Sequence, residues 1–347
     1  MQRNFNLDII RAIAILMVVI YHTVQMTVLD DGINRYTTVG KYGVDVFFCL
    51  SGYLIGTLYF KEYIRTGKVN ILQFWLRRWS RTVPMYFLFL GVSFTSVYVA
   101  RKEPFNISYL FFMQNYLTEM PFFLTSWSLC IEEHFYVLMP VILTTLLAFL
   151  RKNKTLLVLV CAIFILFPLL FRVFEIWNVG LNAPFGYHFT ATHLRADGLL
   201  LGVLFAYLQM YKVQVRLPKP AYVYGISAVV LVASIYVDAT LYYILGYFLI
   251  ALNVSTAIFL AKNKPSYLAE GKAARLIYFI SVSSYSLYLT HPLMIHLSLW
   301  FMKKMHIEQS AVKFCFTFLL ALAIGFLIYA LVEKPILKWR ERYVPTT

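Results

Sequence analysis

The sequence predicts an all-α, polytopic membrane protein of about ten transmembrane helices with both termini cytoplasmic, and three observations carry that prediction. The chain of 347 residues is 61% hydrophobic and only 14% charged, with a mean hydropathy of +0.70; a soluble domain has a very different balance. Apolar runs of bilayer-spanning length recur from end to end. Finally, the basic residues are sorted by side once those runs are placed. No extended polar block interrupts the series, so residues 1–347 read as a single membrane domain with no appended soluble domain.

With about twenty residues per span, helices fall near 7–28, 43–60, 82–100, 126–149, 155–176, 194–211, 221–238, 240–261, 277–299 and 311–333. The first run has no small-residue cleavage site behind it and is read as a retained span, not a signal peptide. Seven of the 31 Lys and Arg residues lie on one side: Arg35, Lys41, Arg101, Lys102, Lys303, Lys304 and Lys313. Arg11, Arg172 and Arg195 lie in or at the edge of spans, and the other 21 occupy the opposite side. The positive-inside rule makes that basic side cytoplasmic. The net charge of +15 therefore reports topology. The lipid bilayer is the expected partner and nucleic acid is not.

The outer loops are short except near 29–42, 101–125 and 177–193. Within the second of these, "NISYLFFMQNYLTEMPFF" is apolar but interrupted and too short to span, which predicts an interfacial or re-entrant piece. Cys49, Cys130, Cys161 and Cys315 fall inside spans without metal-type spacing, so they are expected to be buried apolar residues, and no metal site is expected. No internal repeat is visible.

The first span, "NFNLDIIRAIAILMVVIYHT", carries Asp8, Arg11 and His22 into hydrocarbon, where titratable groups are costly and usually functional. Residues 11 and 22 are eleven apart, three helical turns to within about 20 degrees, so Arg11, Ile15, Val18 and His22 share a face. At 1.5 Å per residue, Arg11 sits about 6 Å above the inner boundary and His22 about 21 Å above it. Asp45 lies a few Å below the outer boundary and Glu132 and Glu133 about 9 Å below it, while His291 reaches about the level of His22. Several titratable groups in one layer predict a polar cavity lined by several helices. Structural alternatives exist: His22 as a helix–helix tie, His291 bonding a carbonyl freed by Pro292, and Glu133 and His134 as packing residues.

In "FWLRRWSRTVPMY", Arg78 and Arg81 are three apart on the opening turn of the third span, so their guanidinium groups can converge on one anion, with Arg77 beside them. A phosphate fits that geometry, although basic residues near inner-leaflet lipids also anchor head groups. No Walker or dinucleotide glycine pattern is present, so a nucleotide would be held by side chains.

In order along the chain, "LDIIRAIAILMVVIYH", "GVDVFFCLSGYLIG", "RRWSRTVPMY", "SWSLCIEEHFY", "THLRADGLLLG" and "SYSLYLTHP" resemble the acyltransferase 3 family of bacterial multi-spanning membrane acyltransferases, over residues 4 to the tenth span. The resemblance implies a ten-helix core that takes an acyl group, usually acetyl, from cytoplasmic acyl-coenzyme A and passes it to a hydroxyl of an extracytoplasmic glycan. It implies roles for Arg11 and His22 as the family's Arg-and-His pair, with His22 essential, for Arg78 and Arg81 as its R-x-x-R donor motif, and for Glu132 as its acidic residue. Some members carry an extra extracytoplasmic esterase-like domain. This chain ends fourteen residues after its last span and resembles the stand-alone type.

The resulting expectation is an O-acetyltransferase of the bacterial inner membrane that uses acetyl-CoA as co-substrate, with no permanently bound cofactor. Coenzyme A phosphates would meet Arg77, Arg78 and Arg81, its pantetheine arm would run past Arg11, and His22 would act as general base. Asp45 or Glu132 would fix the His22 tautomer; Arg195 and His291 are further candidates for substrate or oxyanion contact. The expected acceptor is a cell-envelope carbohydrate, with lipopolysaccharide O-antigen, peptidoglycan, an exopolysaccharide and an oligosaccharide signal undistinguished. The rival readings are a proton-coupled transporter or lipid flippase using the same groups as a relay, a scaffold, and an acyl-cysteine enzyme at Cys130, whose apolar surroundings disfavour a thiolate.

Overall fold

A computed structural model describes residues 4–28, 38–150, 154–179, 189–213, 239–262 and 270–343, with isolated positions between 222 and 229. Among the described residues every regular element is helical. The helices are α1 (Phe5–Thr27), α2 (Gly43–Thr66), α3 (Ile71–Arg101), α4 (Trp127–Leu150), α5 (Lys154–Val179), α6 (Thr192–Arg195), α7 (Asp197–Met210), α8 (Ala239–Lys262), α9 (Gly271–Val282), α10 (Ser284–Lys304), α11 (Ser310–Ile328) and α12 (Lys334–Tyr343). A π-helical turn, Tyr329–Glu333, joins α11 to α12.

Among the described residues, seven helical segments are long and apolar enough to cross a membrane. The predicted sixth span is broken between Arg195 and Asp197, and its longer piece, α7, has only 14 residues. The predicted seventh span, 221–238, lies almost entirely outside the described residues. The predicted ninth is divided at Ser283, and α10 has the length, at 21 residues, but carries Ser284, Ser286, Thr290, His291 and Ser298 into the interior. Its polarity faces protein, which is how such residues are tolerated at membrane depth.

The first helix is enclosed by α2, α9, α10 and α11. Its Ala14, Ile15, Val18 and Val19 are fully buried, while Asn4 caps its start by accepting from the Leu7 amide at 3.3 Å. Asn6 donates to the Ala261 carbonyl at 2.7 Å and ties that end to α8. The most extensive helix contact is α2 on α7. Small residues four apart line the contact on both helices, Gly52 and Gly56 on α2 and Gly198 and Gly202 on α7, a spacing that lets two backbones approach closely. A Cβ at Gly52 would stand 2.1 Å from the Leu199 carbonyl oxygen, and one at Gly202 would stand 2.5 Å from that of Cys49. Gly202→Leu is therefore expected to destabilise the protein by about 1–3 kcal/mol, read as a lowered melting temperature in detergent. Gly91→Leu, with nothing within 4 Å of the added atom, should leave it unchanged.

The third helix starts earlier than predicted. Asn70 caps it by accepting from the Gln73 amide at 3.0 Å, so the arginine-rich stretch lies two turns inside a 31-residue helix and not on its opening turn. The interrupted segment after it forms three 3₁₀ turns, at Ile107–Phe111, Gln114–Tyr116 and Leu124–Ser126, folded against the bundle. Tyr86 donates to the Tyr109 carbonyl at 2.7 Å, Tyr109 donates to that of Phe122 at 2.6 Å, and Gln114 donates to Tyr86 and Ser126. The expectation of four buried cysteines needs correction: Cys49 and Cys130 are buried, Cys161 is half-buried and Cys315 is exposed, on an outward face of α11.

Candidate active site

Five helices leave a cleft of about 110 Å³ between them. Arg11 enters it from α1, Ser51 from α2, Arg78, Arg81 and Thr82 from α3, Ser128, Glu132 and Tyr136 from α4, and Ser284, Tyr285 and Tyr288 from α10, with Phe47, Phe48 and Leu54 supplying apolar wall. The sequence-predicted residues Arg11, Arg78, Arg81 and Glu132 are thus gathered on one cavity. Arg77 is not among its lining residues and faces Glu62 at 3.9 Å.

Among the described residues, neither Arg78 nor Arg81 has a carboxylate within 4.0 Å. The Arg78 guanidinium lies 4.6 Å from the Tyr136 ring centroid, a cation–π contact that orients it without neutralising it. Tyr136 in turn donates to Glu132 Oε2 at 2.8 Å, and Ser51 donates to Oε1 at 2.6 Å. Both Glu132 oxygens are therefore engaged. Arg11 donates to Asp8 and to Ser281 Oγ, each at 3.4 Å, while Ser281 donates to Asp8 at 2.9 Å. This polar cluster holds the Arg11 side chain along the wall.

A further cation reaches this end of the cleft. Beyond the π turn, α12 packs on α3 and brings Arg340 within electrostatic range of Arg78 and Arg81. Glu333, fully buried in the turn, accepts from Ser286 at 2.5 Å and lies within electrostatic range of Arg81. Sequence reasoning counted Arg340 only as a topological charge, because nothing in linear order says that the chain turns back onto the third helix.

At the other end, Tyr288 bonds Ser128 Oγ at 2.6 Å and donates to the Thr125 carbonyl at 2.9 Å. Its ring centroid is 5.7 Å from that of His291, and His291 Nε2 is 3.2 Å from His22 Nδ1. The two histidines lie beyond the Tyr288 wall and are not cleft-lining residues themselves. Each Nδ1 also meets a backbone carbonyl of its own helix, His22 that of Val18 at 3.0 Å and His291 that of Leu287 at 3.1 Å.

The predicted partnership of His22 with an acid is not what the structure contains. Asp45 accepts from Arg195 Nη2 at 2.8 Å; Arg195 also donates to the Phe189 carbonyl at 3.0 Å and stacks at 3.8 Å on the Tyr247 ring. Asp45 and Arg195 are both buried, neither lines the cleft, and they form a structural ion pair between α2 and α6. Glu132 is committed to Ser51 and Tyr136. The reason is azimuth: residues at one depth on different helices still point in different directions. Glu133 accepts from Thr82 at 2.8 Å and Trp79 at 3.1 Å, and His134 bonds Thr192 at 2.7 Å, both in packing roles. The buried pair of Arg172 with Asp197 was missed, although both residues stood inside predicted spans.

A family profile described as "Acyltransferase domain" matches residues 4–330. "Putative O-acetyltransferase SAR0937" of Staphylococcus aureus strain MRSA252 is 29% identical over 376 residues, covering 98% of this chain and 59% of the relative. O-acetyltransferase OatA of S. aureus strain NCTC 8325 is 26% identical over 362 residues, covering 96% of this chain and 57% of the relative. The chain therefore spans less than two thirds of the length of these curated relatives. No solved structure matches it. With the profile running from the start of α1 to the π turn and taking in every wall of the cleft, the chain belongs to the acyltransferase 3 family.

Proposed function

We propose that the protein is a membrane O-acyltransferase that moves an acyl group, acetyl in the first instance, from cytoplasmic acyl-CoA to a hydroxyl of an extracytoplasmic cell-envelope glycan, in a bacterial inner membrane. The observation that carries this reading is the cleft itself. One end presents two guanidinium groups without carboxylate partners and a third nearby, and the other end stops at a tyrosine whose ring abuts a histidine pair. The relatives named as O-acetyltransferases support the acyl group and the oxygen acceptor.

In this reading Arg78, Arg81 and Arg340 bind the phosphates of coenzyme A, and the apolar wall with Arg11 takes the pantetheine arm. The thioester then lies toward Tyr288 and His22. The acceptor oxygen attacks the thioester carbonyl carbon while its proton passes to His22. The carbon–sulfur bond breaks, and His22 returns that proton to the departing sulfur, so the products are an ester and free coenzyme A. A transporter or flippase built on the same histidines has no use for the unpaired arginines.

Arg78→Gln and Arg81→Gln are each expected to raise KM for acetyl-CoA about 10- to 100-fold, the range for losing a hydrogen bond to a charged group, with kcat little changed. Arg77→Gln should do less, because its neighbour is Glu62. Steady-state kinetics on purified protein check this. Mass spectrometry of envelope glycans from cells with and without the protein tests the function: an acyl mass difference is expected, and identical glycan spectra would overturn the proposal.

A further inference from the structure

The hydrogen bonds around the histidine pair determine where its protons sit, and this inference rests on the reading of His22 as the base. A carbonyl oxygen only accepts, so the contact of His291 Nδ1 with the Leu287 carbonyl at 3.1 Å requires a proton on that nitrogen. The neutral His291 ring then has its lone pair on Nε2. That lone pair faces His22 Nδ1 at 3.2 Å, and His22 Nδ1 also meets the Val18 carbonyl at 3.0 Å. Two acceptors converge on one nitrogen, so the His22 proton is on Nδ1 and is shared between them. Among the described residues His22 Nε2 makes no hydrogen bond, and it carries the remaining lone pair. Both Asp45 and Glu132 are bonded elsewhere.

We propose that His291 is the positioning residue of the site: its Nε2 lone pair holds His22 in the Nδ1–H tautomer and leaves His22 Nε2 free to take the proton of the acceptor hydroxyl. When His22 is protonated at Nε2, its Nδ1–H becomes the donor of a charge-assisted bond to His291, which strengthens as charge develops. A neutral imidazole thereby does what a carboxylate does in hydrolase triads, and it does so without placing a permanent negative charge at membrane depth. His291 is fully buried and is fixed through Leu287, so its ring holds one orientation.

The test combines kinetics with nitrogen NMR of protein labelled at histidine, His22 being identified by comparison with His22→Gln. In the wild type, His22 and His291 should both show a protonated Nδ1 and a lone-pair Nε2. His291→Leu fills the volume without an acceptor and should lower kcat about 10- to 100-fold with KM for acetyl-CoA unchanged, while His22 becomes a mixture of tautomers. His291→Gln returns an acceptor oxygen near the Nε2 position and should recover most of kcat. Either a wild-type His22 protonated on Nε2 alone, or a His291→Leu enzyme with unaltered kcat and His22 spectrum, would overturn the proposal. So would a His291→Gln enzyme that melts like wild type yet is as slow as His291→Leu. The nitrogen spectrum reads the ring whether or not turnover occurs, so a wild type that transfers no acetyl overturns the functional reading and not the tautomer assignment.

Discussion

His22→Ala is expected to reduce acyl transfer about 10²- to 10⁴-fold, the usual contribution of a positioned general base, while expression stays near wild type and stability falls only by the cost of one unpaired buried acceptor, about 1–3 kcal/mol. The loss should appear in kcat, because His22 lies beyond the Tyr288 wall, at the far end of the cleft from the arginines. The side chain is half-buried and its bond to Val18 lies within α1, so what its removal leaves unpaired in the core is Nε2 of the buried His291. A variant that binds acetyl-CoA with unchanged affinity but no longer esterifies the acceptor separates this role from a helix–helix tie. If His22 only tied α1 to α10, activity would fall no further than the loss of folded protein explains.

The largest effect on stability is expected at a different pair. Arg172 donates to Asp197 through two nitrogens, at 2.7 and 2.9 Å, to the Leu194 carbonyl at 2.6 Å and to that of Ile244 at 3.0 Å, and both charges are buried. Asp197→Ala leaves that guanidinium without its counter-ion, and breaking such a pair from one side costs about 3–5 kcal/mol. The pair ties α5 and α8 to the start of α7, on which α2 and its Ser51 are packed, so the cleft should be lost with the fold. The double variant Arg172→Leu with Asp197→Leu should be more stable than Asp197→Ala alone, because it removes both charges. Thermal melts in detergent give the comparison directly.

How much of this was legible in sequence follows from what a linear count can measure. Length and hydropathy fix height along the membrane normal, which is why most spans could be placed and why His22 and His291 could be assigned a common level before the structure set them 3.2 Å apart. Spacing on one helix fixes azimuth within that helix, so Arg78 and Arg81 could be read as convergent. Neither measure fixes azimuth between helices. Asp45 and Glu132 share the His22 layer yet turn to Arg195 and to Ser51 with Tyr136, and the side chain that meets His22 is His291. Arg340 was hidden for the same reason, since the π turn that carries α12 back onto α3 has no signature in a run of apolar residues. Broken spans were misjudged where short helices are covered by neighbours, as α7 is by α2, because burial by protein substitutes for the length that lipid would demand.

The most direct test is transfer of label in reconstituted vesicles, with acetyl-labelled coenzyme A on the Arg78 and Arg81 side and envelope glycan on the other. Labelled glycan ester should form together with an equal amount of free coenzyme A, and His22→Ala vesicles should form neither. Folded wild-type protein that moves glycan or label across the vesicle without releasing coenzyme A would contradict the account.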